Sequence, residues 1–392
     1  MARPLRIALL GTRGVPARYG GFETAVEEIG RRLVERGHEV TVYCRRGNSD
    51  GPPPGEHLGM RLVTLPAIRS RAVETLSHSA LATAHAVTRR TFDAVFVFNS
   101  ANAVLLPLFR LRRTTVAVHV DGLEWRRAKW GAGGRRYYRM AEALAVRWAD
   151  ALIADAPGIA DYYAEEFGAS SELLTYGAPI LRDLADDRLA GLDLRTGGFH
   201  LVVARLEPEN HVELIVRGYR SSTARLPLVV VGGAPYSDEY GQSVREAAGG
   251  DERIRLVGPV WDAETLDQLY AHARLYLHGH SVGGTNPSLL RAMGAGSAVA
   301  AYDVGFNRGV LGPEARCFVD PAGVATAVET AEADPAACEA AGVALRRRAE
   351  TTFRWDDVAA GYEALALRLW RGESRRGEAT GRRIQHPPRR GG

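Results

Sequence analysis

LYLHGHSVGGTNPSLLRAMGAGS, residues 275–297, passes from a short apolar run (Leu275–Leu277) through a glycine-bearing turn (Gly283, Gly284) and a polar pair (Thr285, Asn286). Pro287 then opens an apolar helical period with Leu289, Leu290, Ala292 and Met293. The pattern predicts a buried strand, a turn and a helix. Such a turn brings free backbone N–H groups and the positive end of a helix dipole together, which suits a phosphate. Strand followed by helix is also the repeating piece of a parallel sheet covered on both faces.

Working outward, the same alternation fills the chain. Strand-like runs recur between His200 and Ala301, with helical periods between them. Upstream they recur from Arg6 to Thr175, interleaved with periods that include residues 71–90 and 101–111. The stretch 178–198 is polar, with Asp183, Asp186, Asp187 and a terminal glycine pair, and reads as a linker. The expected fold is α/β: two doubly wound Rossmann-like domains. The expected division is a first domain at 1–180, a linker at 181–198 and a second domain at 199–352. A helical period at 353–370 and a disordered basic tail at 371–392 follow.

A chain of 392 residues is too long for one ordinary core. With 46% apolar and 24% charged residues, its composition is that of a soluble globular protein. The apolar run Ile7–Leu10 breaks at once into a glycine turn, so it reads as a first strand rather than a signal segment. Three widely spaced cysteines (Cys44, Cys317, Cys338) lack metal spacing and fit a reducing cytoplasm. Lys129 is the single lysine among 50 basic residues. No Gly-Lys pair exists for a P-loop, so a phosphate must be held by arginine, backbone N–H groups or helix ends. A net charge of +4 is too small to argue for nucleic acid. No D-x-D motif occurs, and His278 and His280 have no further ligands at metal spacing, so no metal and no cofactor are expected.

Four segments carry candidate chemistry. The loop after the first strand holds Gly11, Gly14, Gly20 and Gly21 with Arg13 and Arg18, and lacks the dinucleotide pattern G-x-G-x-x-G. His119, Asp121 and Glu124 follow a strand end within six residues, where they can orient hydroxyls or exchange protons near neutral pH. Residues 124–140 mix arginine with Trp125, Trp130, Tyr137 and Tyr138, and Arg127 lies among them. That mixture suits a membrane interface, single-stranded nucleic acid, or a charged helix face whose aromatics pack inward. Arg205 ends the first strand of the second domain, where it can fork onto a diphosphate or pair with Glu207 or Glu209.

GTRGVPARYGGFET (11–24), VHVDGLEWRRAKW (118–130), ARLEPENH (204–211) and GHSVGGTNPSLL (279–290) together resemble, in register, family 4 glycosyltransferases of the bacterial rhamnosyltransferase type. The resemblance runs from about Arg6 to Trp370, and it implies that the two Rossmann-like domains face each other, with the helix at 353–370 packing back on the first. It implies a retaining transfer of a sugar from a nucleotide diphosphate donor, with dTDP-rhamnose the first donor to test. It implies a lipid-linked sugar acceptor at an anionic membrane surface, and cytoplasmic work in cell-surface polysaccharide assembly. Carried over, the donor residues are Gly20, Gly21, Arg205, Asn210, Gly283, Gly284, Thr285, Asn286 and Arg291. His119, Asp121 and Glu124 are the catalytic group, and Arg13, Arg18, Trp125, Arg127 and Trp130 serve acceptor or membrane. The chain departs from the family at three places. Gly283 and Arg291 stand where the motif has acidic residues, and Asn210 where many members have lysine. Arg291 cannot accept a hydrogen bond; it can hold phosphate, pair with a carboxylate, or mark a degenerate site. Arg291 and Asn210 keep open a non-catalytic nucleotide-sugar-binding or scaffold subunit, and a third reading is a nucleotide-sugar epimerase on the same fold, which would form product without an acceptor.

Overall fold

The computed structural model describes residues 3–17, 20–47, 54–68, 73–89, 91–120, 122–127, 130–233 and 239–384. They fall into two compact units. One comprises the chain up to Arg126, Trp130–Thr175 and everything from Trp355; the other is Tyr176–Arg354, with Arg127 grouped into it.

The first unit runs β1 (Arg6–Leu10), α1 (Gly21–Glu35), β2 (Glu39–Arg45), β3 (Glu56–His57), β4 (Met60–Leu65), α2 (Glu74–Arg89), β5 (Ala94–Phe98), α3 (Leu106–Phe109), β6 (Thr115–His119), α4 (Ala132–Trp148), β7 (Ala151–Ala154), α5 (Pro157–Phe167) and β8 (Glu172–Leu173). Its sheet has the order β3-β4-β2-β1-β5-β6-β7-β8. Neighbours are parallel except the β3–β4 hairpin at the edge. Central strands such as β5 are buried along their whole length, as expected where helices cover both faces. α1 buries Ala25, Val26, Ile29 and Leu33, a stripe at helical spacing. The helix expected over 101–111 is instead a 3₁₀ turn (Ser100–Leu105), the short α3 and a second 3₁₀ turn (Arg110–Arg112). Pro107 lacks an N–H and restarts the helix, and Asn99 caps the first turn from the left-handed region.

The second unit runs β9 (His200–Val203), α6 (Val212–Ser221), β10 (Leu228–Val231), α7 (Glu239–Ala248), β11 (Ile254–Gly258), α8 (Ala263–His272), β12 (Leu275–His278), α9 (Pro287–Ala295), β13 (Val299–Tyr302), α10 (Gly305–Leu311), β14 (Arg316–Phe318), α11 (Pro321–Ala333) and α12 (Pro335–Thr352). The sheet order is β11-β10-β9-β12-β13-β14, all parallel. β14, α10 and α11 lie beyond the last strand read from sequence; three residues of β14 carry no period. Glu332 on α11 ties this sheet's start together. It accepts from the backbone N–H of Arg225 (2.8 Å) and Leu226 (2.9 Å) and shares a 3.1 Å bond with His200 Nε2. Burial would raise its pKa, but these bonds outweigh it and hold the carboxyl down at about 2. Its stabilisation is therefore complete above the ordinary carboxyl pKa and is lost as pH falls from about 4.5 towards 2. Glu332→Gln is expected to cost about 1.5–3 kcal/mol at neutral pH. Urea melts should show that deficit shrinking on acidification through this window.

Two expectations are corrected. The stretch 181–198 is no free linker. Arg188 bonds Glu264, Gln268 bonds Asp187, and Arg255 reaches the carbonyls of Leu192 and Asp193. Polar side chains read as solvated are used up against α8 and β11. The chain then returns to the first unit as α13 (Trp355–Trp370), which packs on α1 through Arg32–Asp356 and Arg36–Glu363. Beyond it the basic stretch is ordered as far as the structure describes it. Ala379 is buried, the Ile384 N–H donates to the Glu166 carbonyl, and Arg383 pairs with Glu142 and Glu166. Residues 385–392 lie outside the described residues.

Candidate active site

In an open parallel sheet, ligands bind at strand C-termini where the strand order reverses. In the first unit that point lies between β1 and β5, and in the second between β9 and β12. Several of the sequence-predicted residues lie on the loops at these two places.

In the second unit, β9 runs out into Ala204–Glu209 and β12 into Gly279–Asn286. The two loops are laced together. Ser281 donates to the Glu209 carbonyl through both N (2.9 Å) and Oγ (3.0 Å). His211 Nδ1 meets the Gly279 carbonyl at 2.8 Å, and its ring stacks on Tyr302. A Cβ on Gly279 would stand 2.1 Å from the Asn210 carbonyl oxygen, so only glycine allows this approach. Arg205 keeps 38% of its side chain exposed, with Glu207 at 3.7 Å as its ion-pair partner. Arg127 approaches Glu209 (3.7 Å) and Glu207 (3.9 Å). Asn286 caps α9, accepting from the Ser288 N–H at 2.9 Å, and Thr285 beside it is buried. Gly283 takes φ 128° in the turn that precedes the cap, next to Gly284. The remaining amide hydrogens of the first turn of α9, its dipole and the Arg205 guanidinium are the groups here that can hold a diphosphate.

Asn210, His278, His280 and Arg291 behave here as the sequence could not specify. Asn210, at the family's lysine position, spends its amide inside the protein: Nδ2 donates to the Arg205 carbonyl at 2.8 Å, and Oδ1 bonds His280. His280 and His278 are held neutral by burial, His278 with its pKa down at about 3. For His280, the charges of Arg127 and Arg205 push in the same direction. Among the described residues no group of three or more His, Cys, Asp and Glu side chains is placed to hold a metal. Arg291 takes the second of its three open roles. Its Nε donates to Asp267 on α8 at 2.6 Å and its Nη2 to the Ala263 carbonyl at 3.3 Å. Asn307, with no sequence signal to single it out, supports the loop by donating to the carbonyls of His280 and Tyr302.

In the first unit, the loop after β1 passes over the end of β5. Gly11 has φ 104°, and a Cβ there would lie 2.2 Å from the Phe98 carbonyl oxygen. The Arg13 N–H donates to Glu23 at 2.9 Å; Glu23, missed in the sequence, is a buried carboxylate whose pKa burial raises. Gly20 is the N-cap of α1 and Gly21 its first residue, so the first N–H groups of that helix face the loop without a side-chain cap. His119 ends β6 with 1% exposure, stacked on Phe98 and edge-on to Phe22. Burial takes its pKa down to about 3. At neutral pH the imidazole is therefore uncharged, a form that can orient a hydroxyl. Asp121 and Arg18 lie outside the described residues.

Glu124 is buried and accepts from Trp130 Nε1 at 3.2 Å. Trp125 packs on the first unit's core with the guanidinium groups of Arg126 and Arg139 each 5.1 Å from its ring. Tyr138 is buried, and Tyr137 donates to the Ala101 carbonyl at 2.6 Å. The aromatics of 124–140 thus turn inward while Arg126, Arg135, Arg136 and Arg139 stay exposed. No described helix is long and apolar enough to cross a membrane.

Residues 199–334 match the glycosyl transferases group 1 family, and residues 5–179 match a domain of unknown function, DUF1972. No curated protein matches the sequence. Sucrose-phosphate synthase from Thermosynechococcus elongatus is similar at TM-score 0.80 and 22% identity, over 94% of this chain and 100% of that one. HepE of Anabaena in complex with UDP-glucose follows at 0.73 and 15%, over 93% and 100%. An α,α-trehalose-phosphate synthase (UDP-forming) from Burkholderia xenovorans in complex with glucose-6-phosphate follows at 0.68 and 13%, over 94% and 100%. The shared architecture is the two-domain α/β GT-B fold.

Proposed function

We propose, from the match of residues 199–334 to the glycosyl transferases group 1 family and the GT-B fold, that the protein transfers a sugar from a nucleotide diphosphate sugar to a hydroxyl of a second sugar. The observation that carries this reading is Arg205, part-exposed at the end of β9, on a loop bonded through Glu209–Ser281 and Asn210–His280 to the loop that leads into α9. A guanidinium, backbone N–H groups and a helix N-terminus stabilise a departing diphosphate without reorganising as charge develops. The transfer passes through an oxocarbenium-like state and retains configuration. In retaining enzymes of this fold the donor phosphate takes the acceptor's proton, so neutral His119 is needed only to orient a hydroxyl. The motif resemblance makes dTDP-rhamnose the first donor to test, with a lipid-linked or oligosaccharide acceptor.

A binding or scaffold subunit is the second reading. What favours it is Arg291 held on Asp267 and Asn210 held within its own loop. A thermal-shift panel of nucleotide diphosphates and nucleotide sugars tests binding, since a ligand of the folded state raises the melting temperature by mass action. Donor turnover by the purified protein then separates enzyme from subunit. Activity is expected to survive EDTA. Loss in EDTA with recovery in Mg²⁺ or Mn²⁺ would show that the leaving diphosphate needs a cation.

A further inference from the structure

We infer that α3, the 3₁₀ turn after it and the outward face of α4 form a docking surface for an anionic phospholipid membrane. α3 and the turn before it pack on α4, joined by the Tyr137–Ala101 bond. Leu106 and Phe109 point into the core, while Leu108 and Leu111 point out; Leu111 is 73% exposed, and Met140 on α4 is 46% exposed. Large apolar side chains at this exposure stand among arginines. Arg110, Arg112 and Arg113 follow α3, and Arg135, Arg136 and Arg139 line the exposed side of α4. Neither 106–113 nor 132–148 offers a countercharge. Their one carboxylate, Glu142, is 2% exposed and bonded to Arg383 and Tyr162. Exposed apolar side chains flanked in sequence by guanidinium groups match a surface that is anionic outside and apolar beneath. The inference moves the basic–aromatic interface away from Trp125 and Trp130, whose rings pack inward. It does not need the transfer reaction to be correct.

The test is co-sedimentation of the full chain with vesicles of phosphatidylcholine alone and of equimolar phosphatidylcholine and phosphatidylglycerol. Binding to the anionic vesicles only, falling with salt, is expected. Arg110→Gln with Arg113→Gln should weaken it by about fivefold per arginine. Leu111→Ser should weaken it by about tenfold. All three positions are exposed, so melting temperature and UDP binding should match wild type. Equal recovery with and without vesicles, equal binding to neutral vesicles, or variants that bind like wild type would each overturn the inference. Retention of a single-stranded polynucleotide without vesicle binding would overturn it in favour of nucleic acid. UDP binding that persists through any of these results leaves the donor site standing.

Discussion

Arg383→Ala is expected to destabilise the first unit by about 3–5 kcal/mol, the cost of stranding a buried charge. The guanidinium donates to Glu142 at 2.7 Å, to Glu166 at 2.7 Å and to the Tyr162 hydroxyl at 2.8 Å, and lies 4.7 Å from the Phe167 ring. Glu142 is 2% exposed, and burial raises its pKa even with the arginine in place. Without Arg383 this carboxylate keeps its bond from the Tyr162 hydroxyl but must either stay charged without the guanidinium or take up a proton. The melting temperature should drop by roughly 10 °C. Glu142→Gln together with Arg383→Ala should cost less than Arg383→Ala alone, because the stranded charge is gone. A melt of Arg383→Ala that overlays wild type would mean that the segment after α13 does not dock in solution.

Arg205→Ala is expected to weaken nucleoside diphosphate binding by about 1.5–3 kcal/mol, roughly ten- to 150-fold. Glu207 at 3.7 Å is a partner too distant for a good hydrogen bond, so the planar fork remains available to a diphosphate. Arg205→Lys should recover only part of the loss, since an ammonium cannot donate in parallel. Calorimetry with UDP and dTDP, on variants with an unchanged melting temperature, measures the effect. Unaltered affinity would remove Arg205 from the site.

The candidate site was legible in sequence to different depths. Arg205 and the turn 283–286 were readable because each follows an apolar run short enough to be a strand, and strand ends are where open sheets bind ligands. The meaning of Arg291 was not. Its Asp267 lies 24 positions away on another helix, and no local pattern links them. Position 291 lacks a carboxylate to receive a ribose, and its guanidinium is committed to a structural pair. His119 shows the same limit from the other side: its place at a strand end was readable, but its neutrality follows from Phe22 and Phe98 closing over it.

Two strand-and-helix units, parallel sheets and the loops that bear the site follow from local residue order. Apolar runs, glycine turns and helical periods act over a few neighbours, so the linear chain records them. The fate of the polar segments follows from long-range packing. Stretches 181–198 and 371–384 look solvated in composition, yet Asp187, Arg188 and Arg383 are consumed by partners 76 to 241 positions away. A charged side chain reads the same in sequence whether water or a buried carboxylate receives it. Only the packed fold brings that carboxylate within hydrogen-bonding distance, and burial sets how strongly the pair depends on each other.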